Sequence, residues 1–115
     1  MNSEQLQQDL QQFIGTEYYH RLGLYTILAT DGVRYFCEKA EAFWLFDEIA
    51  DFITNDTEEP FVCVIAESKN NKGKITFEDG NCNKLKTKDI PYTDLPEGTW
   101  KFFVTDCIVM LPSEY

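Results

Sequence analysis

The side chains best suited to chemistry or recognition in this chain are carboxylates, and they are concentrated in one segment. Residues 38–59 hold eight of them against a single base, Lys39, and so carry −7 of the net charge of −10. Paired carboxylates act as an acid and a base when a cleft tunes their pKa values. Asp47 and Asp51 lie one helical turn apart on a face that we expect to be exposed, so their spacing predicts no catalysis.

A tryptophan stands among these acids. On a helical wheel of residues 39–54, the apolar side chains gather around Ala42, whereas Trp44 projects among the carboxylates on the other side. A large aromatic side chain on a charged surface is typical of a protein-binding site. In the plainer interpretation, the acids only keep the protein soluble, and Trp44 packs under the N-terminal helix or the sheet. We predict a docking patch for a basic partner protein, formed by Glu41, Trp44, Asp47, Glu48 and Asp51.

A second candidate site surrounds His20, which is the sole histidine of the chain. A small polar pocket there would make the chain a ligand-binding or enzymatic domain, and a hairpin from Tyr25 to Tyr35 would complete it. A nucleophilic pair would need a cysteine beside His20, and no local signature supports one. A structural histidine is the alternative. The residues predicted to line the pocket are Tyr18, Tyr19, His20 and Arg21.

The spacing of the cysteine, histidine and glycine residues does not match that of a metal or cofactor site. Four cysteines, at intervals of 26, 19 and 25 residues, accompany one histidine, which predicts no zinc site. The six glycines are isolated, so no phosphate-binding loop is expected. Because the N-terminus shows no export signal, we expect reduced thiols rather than one of three disulfide pairings. No cofactor and no catalytic residue are therefore predicted.

The charge distribution indicates what the chain binds. A net charge of −10 disfavours nucleic acids and anionic membranes and favours basic partners, and the apolar runs are too short to span a bilayer. We expect a cytoplasmic protein. Residues 69–88 run against this trend with six lysines and a local charge of +4. Lys84, Lys86 and Lys88 share one strand face, where they would touch nucleic acid or, alternatively, provide intramolecular counter-charge.

These residues must be positioned by helices and strands. The sequence pattern predicts that these elements form an α+β fold in a single domain, 1–115. A main helix at about 39–54 and a short N-terminal helix at about 4–13 would pack on an antiparallel sheet of five or six strands. Thr30-Asp31-Gly32 predicts a turn between extended segments at 16–29 and 33–37, although Asp31 could instead cap a helix. An edge strand near 84–90 would permit a homodimer. The later strands are predicted at 61–67, 74–78, 84–90, 100–105 and 107–111.

Several segments together resemble one family. The chain is similar, from about residue 13 to its end, to small uncharacterised bacterial proteins often carried on plasmids, prophages and other mobile elements. Trp44, Asp47 and Ile49 are among the most specific matches, as is the LPSEY ending, whereas Glu41 stands where a small residue is usual. The segments are FIGTEYY (13–19), TDGVRYF (30–36), FWLFDEIADFI (43–53), FEDGN (77–81) and LPSEY (111–115).

The resemblance implies a mobile-element setting but no activity, since none is assigned to that family. We therefore predict an interaction module rather than an enzyme. It would bind and inhibit a basic host protein that handles nucleic acid or takes part in defence, and it would do so through its acidic helix. A ligand-binding or enzymatic domain with a pocket near Tyr18–Arg21 is the alternative.

Overall fold

A computed structural model describes residues 3–14, 18–22 and 26–115 of the chain. Its helices are α1 (Ser3–Leu10), α2 (Asp31–Lys39) and α3 (Phe43–Asn55), and a short 3-10 turn spans Pro112–Glu114. None of the helices in these ranges is long and apolar enough to cross a membrane. The strands are β1 (Leu28–Ala29), β2 (Phe61–Lys69), β3 (Lys72–Asp79), β4 (Lys84–Ile90), β5 (Gly98–Thr105) and β6 (Ile108–Met110).

The six strands form one sheet in the order β1-β6-β5-β2-β3-β4. All neighbours pair antiparallel except β1 and β6, which are parallel. Two-residue turns connect β2 to β3 and β5 to β6, and each has both turn residues at positive φ, as tight hairpins require. The predicted α+β fold with a sheet of about six strands is confirmed, and the sheet is mixed rather than purely antiparallel.

The segment after Thr30 is a helix, and the predicted strand at 33–37 is wrong. Thr30 is the N-cap of α2, and its side-chain oxygen accepts a hydrogen bond from the Val33 amide at 3.4 Å. The aromatic and β-branched residues of 33–37 suggested a strand, but the cap and the packing of Phe36 against Trp100 and Phe102 favour a helix. The sequence also allowed a helix cap here, at Asp31 rather than at Thr30.

The predicted main helix at 39–54 is shorter at its start than expected. Helix α2 ends at Lys39 and α3 begins at Phe43, because Glu41 adopts a left-handed conformation with φ of 53° between them. Helix α1 likewise ends at Leu10, three residues before the predicted end. Of the extended segment predicted at 16–29, the structure shows β1 and an isolated bridge between His20 and Ala29, while residues 15–17 and 23–25 lie outside the described residues.

The core lies between the sheet and helices α2 and α3. Phe36 of α2 contacts the rings of Trp100 and Phe102 on β5, at centroid distances of 5.3 and 5.2 Å. Phe52 of α3 stacks on Phe77 of β3 at 4.1 Å. This face of the sheet takes alternate residues of each strand, so their neighbours point to the opposite face.

Two of the recognised sequence segments meet at the start of α2. The Glu114 carboxylate accepts hydrogen bonds from the Thr30 hydroxyl at 2.6 Å, the Gly32 amide at 3.2 Å and the Leu111 amide at 3.0 Å. A Cβ on Gly32 would lie 2.5 Å from the Leu111 side chain and 2.7 Å from the Glu114 side chain, so a larger residue there would have to displace both. TDGVRYF and LPSEY therefore form one structural unit that anchors the C-terminus to α2.

Candidate functional site

Helix α3 lies along the edge strand β4, and the two elements pair opposite charges. Lys88 donates to Glu48 at 2.6 Å, and Lys86 donates to Asp56 at 3.1 Å. Lys86 also lies over the Phe52 ring, 5.9 Å from its centroid. Lys88 therefore supplies counter-charge to α3, and Lys86 supplies it to Asp56, the C-cap residue of that helix.

The predicted acidic patch consists of residues in two different situations. Glu48 is half-buried and paired with Lys88. Asp51 accepts a hydrogen bond from the side-chain amide of Asn55 at 2.8 Å. Glu41 and Asp47 are exposed. The carboxylates directed to solvent therefore cluster near the start of α3, at the end where Trp44 lies.

Trp44 is half-buried and packs against the hydrophobic core. It is neither fully exposed among the acids nor enclosed. Its partly covered side chain forms one wall of a groove of about 380 Å³ between the α2–α3 junction and the loop from β4 to β5. The described residues that line this groove are Ala40, Glu41, Trp44, Ile90, Tyr92, Thr93, Asp94 and Leu95.

The charged residues that line this Trp44 groove, among those described, are Glu41 and Asp94. Tyr92 is 66% exposed, and its hydroxyl donates to Asp94 at 2.9 Å. That hydrogen bond raises the pKa of Tyr92, because the carboxylate stabilises the protonated phenol. Two aromatic side chains and two carboxylates in one groove suit a positively charged side chain.

The loop that carries Tyr92 and Asp94 is fixed by hydrogen bonds to β2 and to the turn after it. The Thr93 amide donates to the Asn71 carbonyl at 2.9 Å, and the Ser68 hydroxyl donates to the Leu95 carbonyl at 2.9 Å. The side chains of Thr93 and Ser68 are buried. This wall of the groove is therefore ordered before a partner arrives, which reduces the entropic cost of binding.

Sequence reasoning missed Tyr92 and Asp94. Pro91 to Gly98 reads as a loop because it contains two prolines and a glycine, and nothing local links it to Trp44. The available signal is the Tyr92-x-Asp94 spacing, which places a phenol and a carboxylate close together in a loop flanked by prolines. Only the tertiary structure brings that pair to α3.

A second groove, of about 520 Å³, lies beside His20. Tyr19, His20 and Arg21 line it together with Arg34 and other residues, whereas Tyr18, which is 66% exposed, is not among the lining residues. The structure thus brings three of the four predicted pocket residues together. It adds Leu22, Arg34, Glu38 and Phe43 to them.

Both ring nitrogens of His20 are engaged. Nε2 lies 2.7 Å from the Asp31 carboxylate, and Nδ1 lies 3.3 Å from Nη1 of Arg34. The Nε of Arg34 donates to Glu38 at 2.9 Å. Because a guanidinium only donates, Nδ1 must accept, and Nε2–H therefore donates to Asp31. This arrangement joins the His20–Ala29 bridge to α2 and leaves neither nitrogen directed at a substrate.

The predicted contribution of a Tyr25–Tyr35 hairpin to that pocket is wrong for Tyr35. Tyr35 lies on α2, and its hydroxyl donates to Asp9 of α1 at 2.8 Å, which raises the pKa of Tyr35. Helix α2 turns that residue away from the expected strand register. Tyr25 lies outside the described residues.

The four cysteines are free thiols. Cys37 is buried, and this burial, with smaller effects of Asp47 and Glu38, raises its pKa to about 12. Burial also raises the pKa of Cys63. Neither thiol is activated as a nucleophile. Within the described ranges, no group of three or more His, Cys, Asp or Glu side chains is arranged to hold a metal ion.

Comparison with known protein families finds a match. The model of the Family of unknown function (DUF6876) matches residues 4–115. The chain belongs to this family, which confirms the predicted relation to a family without an assigned function. No curated protein and no solved structure matches the chain.

Proposed function

We propose that this chain is a protein-binding module that accepts a basic segment of a partner at the Trp44 groove. One observation carries the proposal: a half-buried tryptophan lines a groove whose described charged residues, Glu41 and Asp94, are both acidic. Asp47, exposed one helical turn from Trp44, extends the same negative field. Glu48 and Asp51 belong to the surrounding surface but already have partners within α3 and β4.

The groove supports recognition of a lysine or arginine side chain. A cation over the face of Trp44 or Tyr92 would gain about 0.5–2 kcal/mol, depending on how far it is desolvated. Glu41 and Asp94 would attract the cation from a distance and make association fast and sensitive to salt. The apolar contact with Trp44 would then slow dissociation, as buried aromatic anchors do.

The partner in this proposal is a basic protein of a bacterial host that handles nucleic acid or takes part in defence. Such proteins carry clustered lysines and arginines, which an acidic surface can occupy in place of phosphates. Binding would then inhibit the partner in the host cytoplasm, and the gene would be carried on a mobile element, as the resemblance implies. A binding role fits His20, whose two nitrogens are engaged within the protein.

The test compares two double variants that change the net charge equally. Glu41→Lys/Asp94→Lys reverses the charge of the groove, whereas Glu58→Lys/Glu59→Lys reverses two exposed carboxylates before β2. Partners are captured with the wild-type chain, purified, and titrated at 50 and 300 mM salt. We expect the groove variant to lose at least tenfold in affinity and the control variant to lose much less. Equal losses would leave only non-specific charge attraction and overturn the proposal.

The second candidate is a small-ligand or enzymatic site beside His20, favoured by the 520 Å³ groove there. Its test is the NMR signal of the His20 ring during titration with inorganic phosphate and small carboxylates, because two arginines line the groove. A saturable shift that Arg34→Met abolishes would support this site. An unchanged signal would exclude small anions as its ligands.

A further inference from the structure

The face of the sheet opposite the helices is open in the described part of the chain. All three helices send their buried side chains into the single core, which they share with alternate strand residues such as Val62, Val64 and Phe102. The strand residues between these point to the second face of the sheet. No described helix therefore covers that second face, which we call the open face.

The open face carries an apolar patch. Six apolar side chains on β2, β5 and β6 are half-buried there and lie outside the core. Tyr115, which is 73% exposed, stands edge-on against the rings of Phe61 and Phe103, at centroid distances of 5.4 and 5.6 Å. An exposed aromatic side chain on an apolar surface is typical of a protein-binding site. The six side chains of the patch are those of Phe61, Cys63, Ile65, Phe103, Ile108 and Met110.

The dimensions of this patch match those of one helix. Its three strands are spaced about 4.8 Å apart, which gives a width of about 14 Å with side chains, and Phe61 to Ile65 spans about 13 Å along β2. A helix about 10 Å in diameter covers this area in about two or three turns. Stable dimers bury about 800 Å² on each copy, whereas the patch measures about 200 Å² in projection. The patch therefore suits a helix of a partner better than a second copy of the chain.

Lysines border the patch on the side towards the β2–β3 turn. Lys101 pairs in register with Ile65, and Lys74 pairs with Glu67 in the next row of side chains. Along β2, β3 and β5, four lysines and two glutamates of the open face give a charge of +2, although the whole chain carries −10. An acidic segment is therefore attracted to this face and repelled by most of the remaining surface. The charged residues counted are Lys69, Lys72, Lys74, Lys101, Glu67 and Glu78.

We propose that the open face binds an amphipathic helix of a partner protein, in which acidic residues flank an apolar stripe. The stripe would pack on Phe103 and the other apolar side chains of the patch, with Tyr115 as an aromatic anchor, as in other helix-binding proteins. The flanking acids would pair with Lys74 and Lys101. Because α3 packs on the other face of the sheet, this site is independent of the Trp44 groove.

The experiment titrates the full chain with a probe peptide and records the methyl NMR signals of Ile65 and Met110. The probe is two copies of the heptad Glu-Leu-Ala-Glu-Leu-Leu-Glu, acetylated and amidated, whose leucines form one stripe when it is helical. We expect saturable shifts of both methyl signals. A scrambled peptide of the same composition, without the stripe, should bind at least tenfold more weakly. Equal binding of the two peptides, or no shift at millimolar probe, would overturn the proposal.

Two double variants with the same change in net charge test the role of the bordering lysines. Lys74→Glu/Lys101→Glu reverses two charges on the open face, whereas Lys39→Glu/Lys86→Glu reverses two exposed lysines that lie elsewhere. We expect the first variant to bind the probe at least tenfold more weakly than the wild type, and the second to lose less than about threefold. Equal losses would indicate general repulsion of the acidic peptide and would overturn the proposal.

Single variants separate this site from the proposed function. Tyr115→Ala should weaken probe binding at least fivefold, and it leaves the core intact because Tyr115 is exposed. Trp44→Ala should leave probe binding unchanged. Unchanged affinity in Tyr115→Ala would place the probe away from the patch and overturn the proposal. A dimer that the probe dissociates would make a second copy of the chain the occupant and would overturn the assignment to a partner helix.

Discussion

Trp44 shows how one residue can satisfy two requirements. Part of its ring packs against the core, and the remainder lines a groove whose described charged residues are acidic. Interior packing fixes the side chain in place, so binding costs it little conformational entropy. Glu114 has a structural role instead, because its carboxylate accepts hydrogen bonds from the Thr30 hydroxyl and from the Gly32 and Leu111 amides.

Glu114 allows a prediction about stability. The change Glu114→Ala removes the acceptor for the Thr30 hydroxyl and for the Gly32 and Leu111 amides, of which Gly32 lies in the first turn of α2. We expect it to lower the free energy of unfolding by about 2–3 kcal/mol, measured by urea denaturation. Glu58→Ala, at an exposed position, is the control and should change it by less than about 0.5 kcal/mol. Equal losses of stability in the two variants would show that the Glu114 hydrogen bonds do not stabilise the fold.

At the scale of elements, α3 and β4 act as a pair. Alternate residues of β4 reach different points along the helix: Lys88 contacts Glu48, and Lys86 contacts Asp56, the C-cap residue about two turns further on. Exposed ion pairs contribute little stability, typically about 0–1 kcal/mol each. Their larger effect is on the surface field, since they offset the charge of Glu48 and Asp56, whereas Glu41 and Asp47 near Trp44 are exposed.

The β3–β4 hairpin allows a prediction about pH. The Asp79 carboxylate accepts hydrogen bonds from the Asn83 and Asn81 amides and from the Asn83 side chain, which lower its pKa below the ordinary 3.8. A pKa lower in the folded state adds stability above 3.8, and this stability is lost as the pH falls through the folded value. We expect Asp79→Asn to destabilise the protein at pH 7 and to match the wild type in strong acid, as measured by thermal unfolding. A difference independent of pH would contradict this.

At the scale of the whole molecule, β4 is one edge of the sheet, and its side chains bear on whether two copies can pair there. Antiparallel pairing of two β4 edges would set Lys84, Lys86 and Lys88 against the same residues of the partner copy, and like charges placed opposite one another destabilise a ladder. We therefore expect a monomer of 13.4 kDa by light scattering. A dimer that Thr87→Pro converts to monomers would instead establish pairing through this edge.

Local signals determined much of the architecture. The hairpin signal at Asp79-Gly80-Asn81 and the alternation around it predicted β4 with its observed bounds, Lys84–Ile90. The helical period of the segment that contains Trp44 predicted α3 apart from its start. These elements follow from contacts between residues close in sequence, which a single sequence displays directly.

Tertiary structure alone decided what those signals left open. Helix α2 replaces the predicted strand because Thr30 caps it and because Glu114, more than 80 residues away, bonds its first turn. Trp44 becomes the wall of a groove because Tyr92 and Asp94 approach it from a distant loop. The sequence by itself determined where the acid, the strands and most of the helices lie. Which side chains come into contact across the molecule depends on long-range packing, and no local sequence pattern specifies those contacts.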